Sequence, residues 1–178
     1  AALLFGGDPH TAATESWNGS AWTEVADLNT SRRQLTGTGT TSTEALAFGE
    51  ETPGSARVTN TESWNGSAWT EVNDLNTARS NLASAISGTY TSTLAFAGIT
   101  PTTGATENWN GVSWQETGDL NTAIYDPAGA GTSADAMLNF GGFPGQNNTI
   151  AWNCDAGACA FYNRDTCVRC VTGTCTQI

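Results

Sequence analysis

TESWNGSAWTEVNDLNT, residues 61–77, decides the fold, because the chain writes it three times. TESWNGSAWTEVADLNT begins at Thr14, and a diverged TENWNGVSWQETGDLNT begins at Thr106. Between the copies lies a second recurring unit, an apolar run closed by Phe and small residues. It reads ALLFGG to Gly7, ALAFGE to Glu50, TLAFAG to Gly98 and MLNFGG to Gly142. A period of roughly 40–50 residues is the mark of solenoids, propellers and other arrays.

The segments within each repeat are short, rich in Thr, Val, Leu, Phe and Trp, and separated by Gly, Asn, Asp and Pro clusters, which is the pattern of strands and turns. One full repeat divides into strand A (LTGTGTT), strand B (EALAFGE), strand C (TNTESWN) and strand D (AWTEVND). Asn-Gly between apolar runs is a hairpin signal, since a type I′ turn needs positive φ at both central residues; the C–D loop is expected to have two or four residues. Side chains alternate faces with period two, so the two tryptophans flanking the turn share a face. Trp17, Trp22, Trp64, Trp69, Trp109 and Trp114 are therefore expected to form the packing between neighbouring sheets.

Four Phe-Gly runs against three Trp-Asn-Gly blocks leave half a repeat to find. Trp152-Asn153 stands where Trp17-Asn18 stands, with Cys154 in place of Gly19. Thr166 leads to Val171 in TCVRCVTGTCT as Thr30 leads to Leu35 in TSRRQLTGTGT. The first repeat lacks strand A, and CVTGTCTQI, residues 170–178, is a strand A without a repeat. The expected architecture is all-β: one small propeller domain of about four four-stranded blades, with repeats at 1–34, 35–81, 82–126 and 127–169. Residues 170–178 are expected to complete the first blade and close the ring.

The chain has 178 residues and a formal net charge of −11, with six Lys plus Arg, none of them Lys. That excludes the basic footprint that nucleic-acid binding requires. An acidic, Thr-rich surface suits extracellular life. No run of about 20 apolar residues offers a membrane span, so no membrane insertion is expected. The chain opens inside a repeat, as a fragment or processed product does, so the lack of a targeting segment says little about location.

All five cysteines, Cys154, Cys159, Cys167, Cys170 and Cys175, fall in the last 25 residues. Three readings stay open. Disulfides could lock the closing blade, which has Gly157 in place of its second Trp, as small extracellular folds use such staples. The C-x4-C and C-x2-C spacings could hold a metal. The thiols could also be free. An odd count leaves one cysteine unpaired or bridged to another chain.

His10 is the only histidine. A Ser-His-Asp or Cys-His arrangement would have to use it, and a multi-histidine metal site is excluded by count. Glu15, Glu62 and Glu107 recur beside the Trp-Asn-Gly turn, and Asp27, Asp74 and Asp119 recur in D-L-N-T. Paired acids can hydrolyse glycosides. Acids repeated once per blade sit at separated, symmetric places, which reads as structure, with the aspartates bonding their own turn. Arg32 and Arg79 occupy matching positions, whereas the third and fourth repeats carry Ile124 and Val168 there. No cofactor and no catalytic residues are expected.

The glycine pair closing an apolar strand, the two tryptophans, and Arg32 or Arg79 before the next blade together resemble kelch-type propeller repeats. The likeness is clearest over residues 1–125; Glu50 and Ala97 interrupt the glycine pair. The near-verbatim repeat is similar to the kelch-like repeats of environmental phage virion proteins. That resemblance implies a tail-fibre, appendage or other particle-surface protein. Kelch folds also carry enzymes such as galactose oxidase, whose copper site needs more than one histidine. The expected function is a non-enzymatic structural or adhesion module on a virion or extracellular surface. It is expected to bind a host-surface protein or glycan, or other subunits of a particle. GDPHTAAT, EETPGSARVTN, ITPTTGAT and FPGQNNT, the four B–C loops, differ most between repeats, and loops on a constant frame are where recognition usually sits. A lectin-like glycan-binding propeller and a secreted hydrolase are the alternatives.

Overall fold

The computed structural model describes residues 1–85, 88–99, 101–133, 136–144, 149–155, 158–163, 166–171 and 174–177, with side chains described at 1–85, 88–99, 101–132 and 137–144. The fold is all-β: four antiparallel sheets follow one another along the chain, and no helix occurs among the described residues. The first sheet is β1 (Ala2–Phe5), β2 (Thr14–Trp17) and β3 (Trp22–Val25). The second is β4 (Thr36–Thr41), β5 (Glu44–Glu51), β6 (Arg57–Trp64) and β7 (Trp69–Glu71). The third is β8 (Ala83–Ser84), β9 (Thr93–Phe96), β10 (Thr106–Trp109) and β11 (Trp114–Glu116). The last holds β12 (Tyr125–Ser133), β13 (Ala136–Phe143), β14 (Thr149–Asp155), β15 (Ala158–Asn163), β16 (Thr166–Val171) and β17 (Thr174–Gln177).

Two expectations are corrected here. The C-terminal strand was expected beside β1, but β17 pairs with β16, Cys170 opposite Cys175, and extends the last sheet to six strands. The first sheet keeps three strands, and a groove of about 290 Å³ lies between β1 and the inner strand β4. The reason is local: residues 170–175 and 154–159 are both C-x4-C hairpins, and a hairpin to the preceding strand closes a far shorter loop than a return to residue 2. The second correction concerns the C–D turn. Trp17, Trp64 and Trp109 face Trp22, Trp69 and Trp114 in register. In each loop, however, the glycine takes positive φ and the asparagine does not. The asparagine instead caps the loop, Asn65 Oδ1 accepting from the N–H groups of Ser67 and Ala68.

Each sheet presents two faces, and the first two junctions repeat one arrangement, which the third varies. Leu3 and Phe5 pack on Ala45, Ala47, Trp64 and Trp69 of the second sheet. Leu46 and Phe48 pack on Ala95, Trp109 and Trp114 of the third. Leu94 and Phe96 pack with Ile124 and Met137 at the fourth. The ring edges meet: Phe5 stands T-shaped to Trp69 at 4.9 Å and Phe48 to Trp114 at 4.7 Å. The indole N–H groups of Trp69 and Trp114 donate back to Thr14 and Thr61 Oγ1 of the preceding sheet, both at 3.0 Å.

At the inner edge the strands approach closely. A Cβ on Gly37 would lie 2.4 Å from Phe5 Cζ, and one on Gly129 2.1 Å from the Ser84 carbonyl oxygen. Between them Thr38 Oγ1 reaches the carbonyl oxygens of Ala85 and Gly88, and Ser84 Oγ that of Gly37. The strand A glycines are therefore dictated by contact with the adjoining blade.

The tryptophans divide by position. Trp64, Trp69, Trp109 and Trp114 are buried, whereas Trp17 is half-buried and Trp22 exposed. The first pair, expected to pack between blades, has no other sheet packed on it among the described residues. Trp114→Ala is expected to cost about 3–5 kcal/mol, while Trp22→Ala stays within about 1 kcal/mol of wild type. Urea denaturation of the two variants checks the contrast.

Candidate functional site

The segment joining one sheet to the next, D-L-N-T-x-R, works as a latch. Asp27, Asp74 and Asp119 each accept the backbone N–H of Thr14, Thr61 or Thr106 at 3.2 Å. The bond reaches thirteen residues back to the central strand, not into the aspartate's own turn as expected. Asn29 then turns to the following blade, its backbone N–H and Nδ2 donating to Glu62 Oε2 at 2.9 and 2.7 Å. Arg32 Nη2 donates to the other oxygen of Glu62 at 2.7 Å. The next junction repeats this: Asn76 N–H to Glu107 Oε2 at 2.7 Å, Arg79 Nη2 to Glu107 Oε1 at 2.9 Å, and Arg79 Nη1 to the Ala105 carbonyl at 2.6 Å. All four charged side chains are buried.

Burial sets the electrostatics. It pushes the Glu107 carboxyl up and the Arg79 guanidinium down, outweighing their mutual attraction. Such a pair fixes geometry more than it adds stability. At the third junction Ile124 replaces the arginine, and Ile150 takes the register position of the glutamate, opposite Asn139 as Glu62 is opposite Ala47. Charge partners are lost together.

Glu50, which takes the place of the second glycine, is a group that reasoning on repeats did not find as a partner. It is fully buried 2.9 Å from Arg32 Nε. Burial raises its carboxyl to about 7, against the pull of Arg32. A raised carboxyl beside the second acid Glu62 has the outline of a glycosidase pair, and it is asymmetric among the blades. Both acids are sealed from solvent and bound to one guanidinium, so no substrate reaches them.

The rim that carries the B–C loops is polar. Arg33 bridges Asp8 Oδ1 at 2.9 Å and Glu51 Oε1 at 2.6 Å. These two acids raise Arg33, and Arg33 in turn lowers Glu51. Arg57 Nε reaches Ser80 Oγ, Ser80 Oγ donates to Asn81 Oδ1, and Asn81 Nδ2 donates to Asp126 Oδ1 at 2.6 Å. Nearer the inner edge, Gln34, Asn81 and Asp126 share one backbone state, with φ of 55°, 57° and 52°. Asn81 N–H bonds the Gln34 carbonyl and Asp126 N–H the Asn81 carbonyl. Asn and Asp tolerate this left-handed conformation, the one sequence signal for the file.

His10 lies half-buried in the first B–C loop, and among the described residues no three His, Cys, Asp or Glu side chains gather as metal ligands. The side chains of Trp152, Cys154, Cys159, Cys167, Cys170 and Cys175 lie outside the described residues, as do Gly157 and residues 145–148 of the fourth loop. The backbone sets Cys154 opposite Cys159, Cys170 opposite Cys175, and Cys167 opposite Tyr162.

No family model and no curated protein matches the chain. Solved structures do match in fold. The structure of YjhT superposes with a TM-score of 0.68 at 11% identity, over 85% of this chain and 52% of that one. The chain thus spans about half the length of YjhT, and the likeness is one of fold.

Two outcomes follow from the latch. Arg79→Ala should lose about 3–5 kcal/mol by stranding Glu107, and the double change to Ile at both positions should lose less than either single change; chemical denaturation of the three variants is the check. Glu50 holds its proton more tightly folded than unfolded, so its contribution is full at low pH and is lost as pH rises from 4.5 through about 7. Across that window wild type should lose on the order of 3 kcal/mol relative to Glu50→Gln, read from thermal unfolding of both proteins at each pH.

Proposed function

We propose that the chain is a non-enzymatic structural and adhesion module of a virion or extracellular surface. It is built as a kelch-type propeller, and its B–C loops bind a protein or glycan partner. The observation that carries this reading is the division between frame and rim. The Arg–Glu latch recurs at the first two junctions in one geometry, and the tryptophan pair recurs in the first three repeats. The loops above them change in length and chemistry, from GDPHTAAT to EETPGSARVTN. Acids that could serve catalysis are instead spent inside the frame.

The lectin alternative draws on exposed tryptophan for stacking against sugars. Trp64, Trp69, Trp109 and Trp114 are buried, which removes them as stacking platforms. A hydrolase would need an accessible acid pair, and Glu50 with Glu62 is enclosed.

The cysteines support an oxidising location. Facing residues of an antiparallel pair have Cα atoms roughly 4.5–5.5 Å apart, inside the roughly 4.4–6.8 Å that a disulfide spans. Cys154–Cys159 and Cys170–Cys175 are the proposed bridges, leaving Cys167 for a free thiol. Intact mass with alkylation before and after reduction should show one modified cysteine, then five; five before reduction would remove the bridges and the compartment argument.

Replacing the exposed loop tip Thr52–Ala56 with Gly and Ser should leave the melting temperature unchanged and weaken binding to host cells or an arrayed glycan by about tenfold or more. Full binding by such variants of every described B–C loop would overturn the loop assignment.

A further inference from the structure

The C–D hairpin tips carry a motif that the frame does not use. Asn-x-Ser or Asn-x-Thr, with x other than proline, is the acceptor sequence for N-linked glycans. It occurs at Asn18 (N-G-S), Asn29 (N-T-S), Asn65 (N-G-S) and Asn147 (N-N-T). Asn147 lies outside the described residues. The fold separates the other three into two that are open and one that is engaged.

Asn65 opens the loop 65–68 between β6 and β7, and it is exposed together with Gly66, Ser67 and Ala68. Its sheet is packed on both faces, so the exposure belongs to the hairpin tip itself. Asn65 Oδ1 accepts the backbone N–H groups of Ser67 and Ala68 at 2.9 and 3.0 Å. The cap occupies the oxygen, while Nδ2, the atom to which a glycan is joined, makes no bond among the described residues. Asn18 repeats the cap with the N–H groups of Ser20 and Ala21 at 2.9 and 3.0 Å, and adds the Ser20 hydroxyl at 3.1 Å. The x residue of both tips is a glycine at positive φ, 108° at Gly19 and 91° at Gly66. No atom lies within 4 Å of a Cβ placed on Gly19, so the space around that tip is open.

The chemistry favours the same two residues. A carboxamide nitrogen is a weak nucleophile because it shares its lone pair with the carbonyl. Donors on Oδ1 stabilise the deprotonated amide, whose charge rests largely on that oxygen. The residue two places on supplies an N–H at both tips, and at Asn18 its hydroxyl as well. Asn29 is the contrast: its backbone is exposed, yet Nδ2 donates to Glu62 Oε2 at 2.7 Å and to the Trp69 carbonyl at 3.3 Å. A sugar on that nitrogen would break the latch to the second sheet. Asn110 has the same cap as Asn65, from Val112 and Ser113, but Val112 stands where the motif needs a hydroxyl.

We propose that Asn65 and Asn18 are acceptor sites for N-linked glycans. The co-substrate is an oligosaccharide carried on a lipid diphosphate. Nδ2 bonds to the anomeric carbon, the bond from that carbon to the diphosphate oxygen breaks, and the lipid diphosphate leaves with the electron pair. Nδ2 gives up one proton to the transferase. The proposal rests on the extracellular part of the function proposed above, and the sites suit it. β6 has eight residues, with the loop tip Thr52–Ala56 before it and Asn65 after it. At roughly 3.3 Å per residue the strand holds them about 26 Å apart, which leaves the B–C loops clear of the glycan.

Secretion of the full chain from eukaryotic cells behind a leader peptide tests this, with intact glycopeptides sequenced by mass spectrometry. A glycan is expected on Asn65 and Asn18 and none on Asn29 or Asn110. Ser67→Ala should lose the Asn65 glycan alone, and Ser67→Thr should keep it, both with the wild-type melting temperature. A bare Asn65, an Asn65 glycan that survives Ser67→Ala, or a glycan on Asn29 in the folded chain would each overturn the proposal. The leader carries the chain into the lumen whatever its native location. These outcomes therefore bear on the acceptor sites, and alkylation of the cysteines bears separately on the compartment.

Discussion

A small twisted sheet with two apolar faces cannot stand alone in water, and the whole structure depends on how each sheet covers the next. The unit of that cover is a phenylalanine edge set against a tryptophan, Phe5 on Trp69 and Phe48 on Trp114. The tryptophan is held in turn by a second one across the hairpin and by a threonine of the blade it receives. Large rings give the contact area, and the edge-on arrangement suits the charge distribution of the rings. Because the contact joins neighbours only, stability is a sum over junctions, as in other repeat arrays.

The latch adds direction to this packing. A linker asparagine and arginine reach forward to one glutamate, so a blade fixes its successor and not the reverse. The desolvation of that pair offsets much of its attraction, which explains why it can be exchanged for apolar residues at the third junction. Arg32 differs from Arg79 in holding a second carboxyl, Glu50, whose burial raises it to about 7. Burial thus raises a carboxyl at both charged junctions, Glu107 at one and Glu50 at the other.

The frame and the rim obey different demands. Inside, glycines such as Gly37 and Gly129 are required because a backbone or a ring occupies the space of a Cβ. On the rim, Arg33 is shared between two acids of neighbouring blades, and the loop tips beyond it meet few steric limits.

The repeats were legible in the sequence because each blade must solve the same burial problem with the same residues. T-E-S-W-N-G-S-A-W fixes a hairpin with both tryptophans on one face, since strand faces alternate strictly. Strands A to D of the second repeat appear as β4 to β7. Chain position relative to neighbours was not legible. Trp22 and Trp69 sit in identical sequence, yet one is exposed and the other buried, because burial depends on which side chains of another sheet lie against the ring. CVTGTCTQI matches an inner strand in pattern, yet its residues divide between β16 and β17, and β17 pairs back on β16, because pairing is a competition between edges that pattern does not rank. The glutamate at Glu50 interrupts a glycine motif, and only the folded arrangement puts Arg32 beside it. Local periodicity and turn chemistry determined the repeated hairpins; the long-range contacts that decide which faces, edges and charges find partners came from tertiary structure.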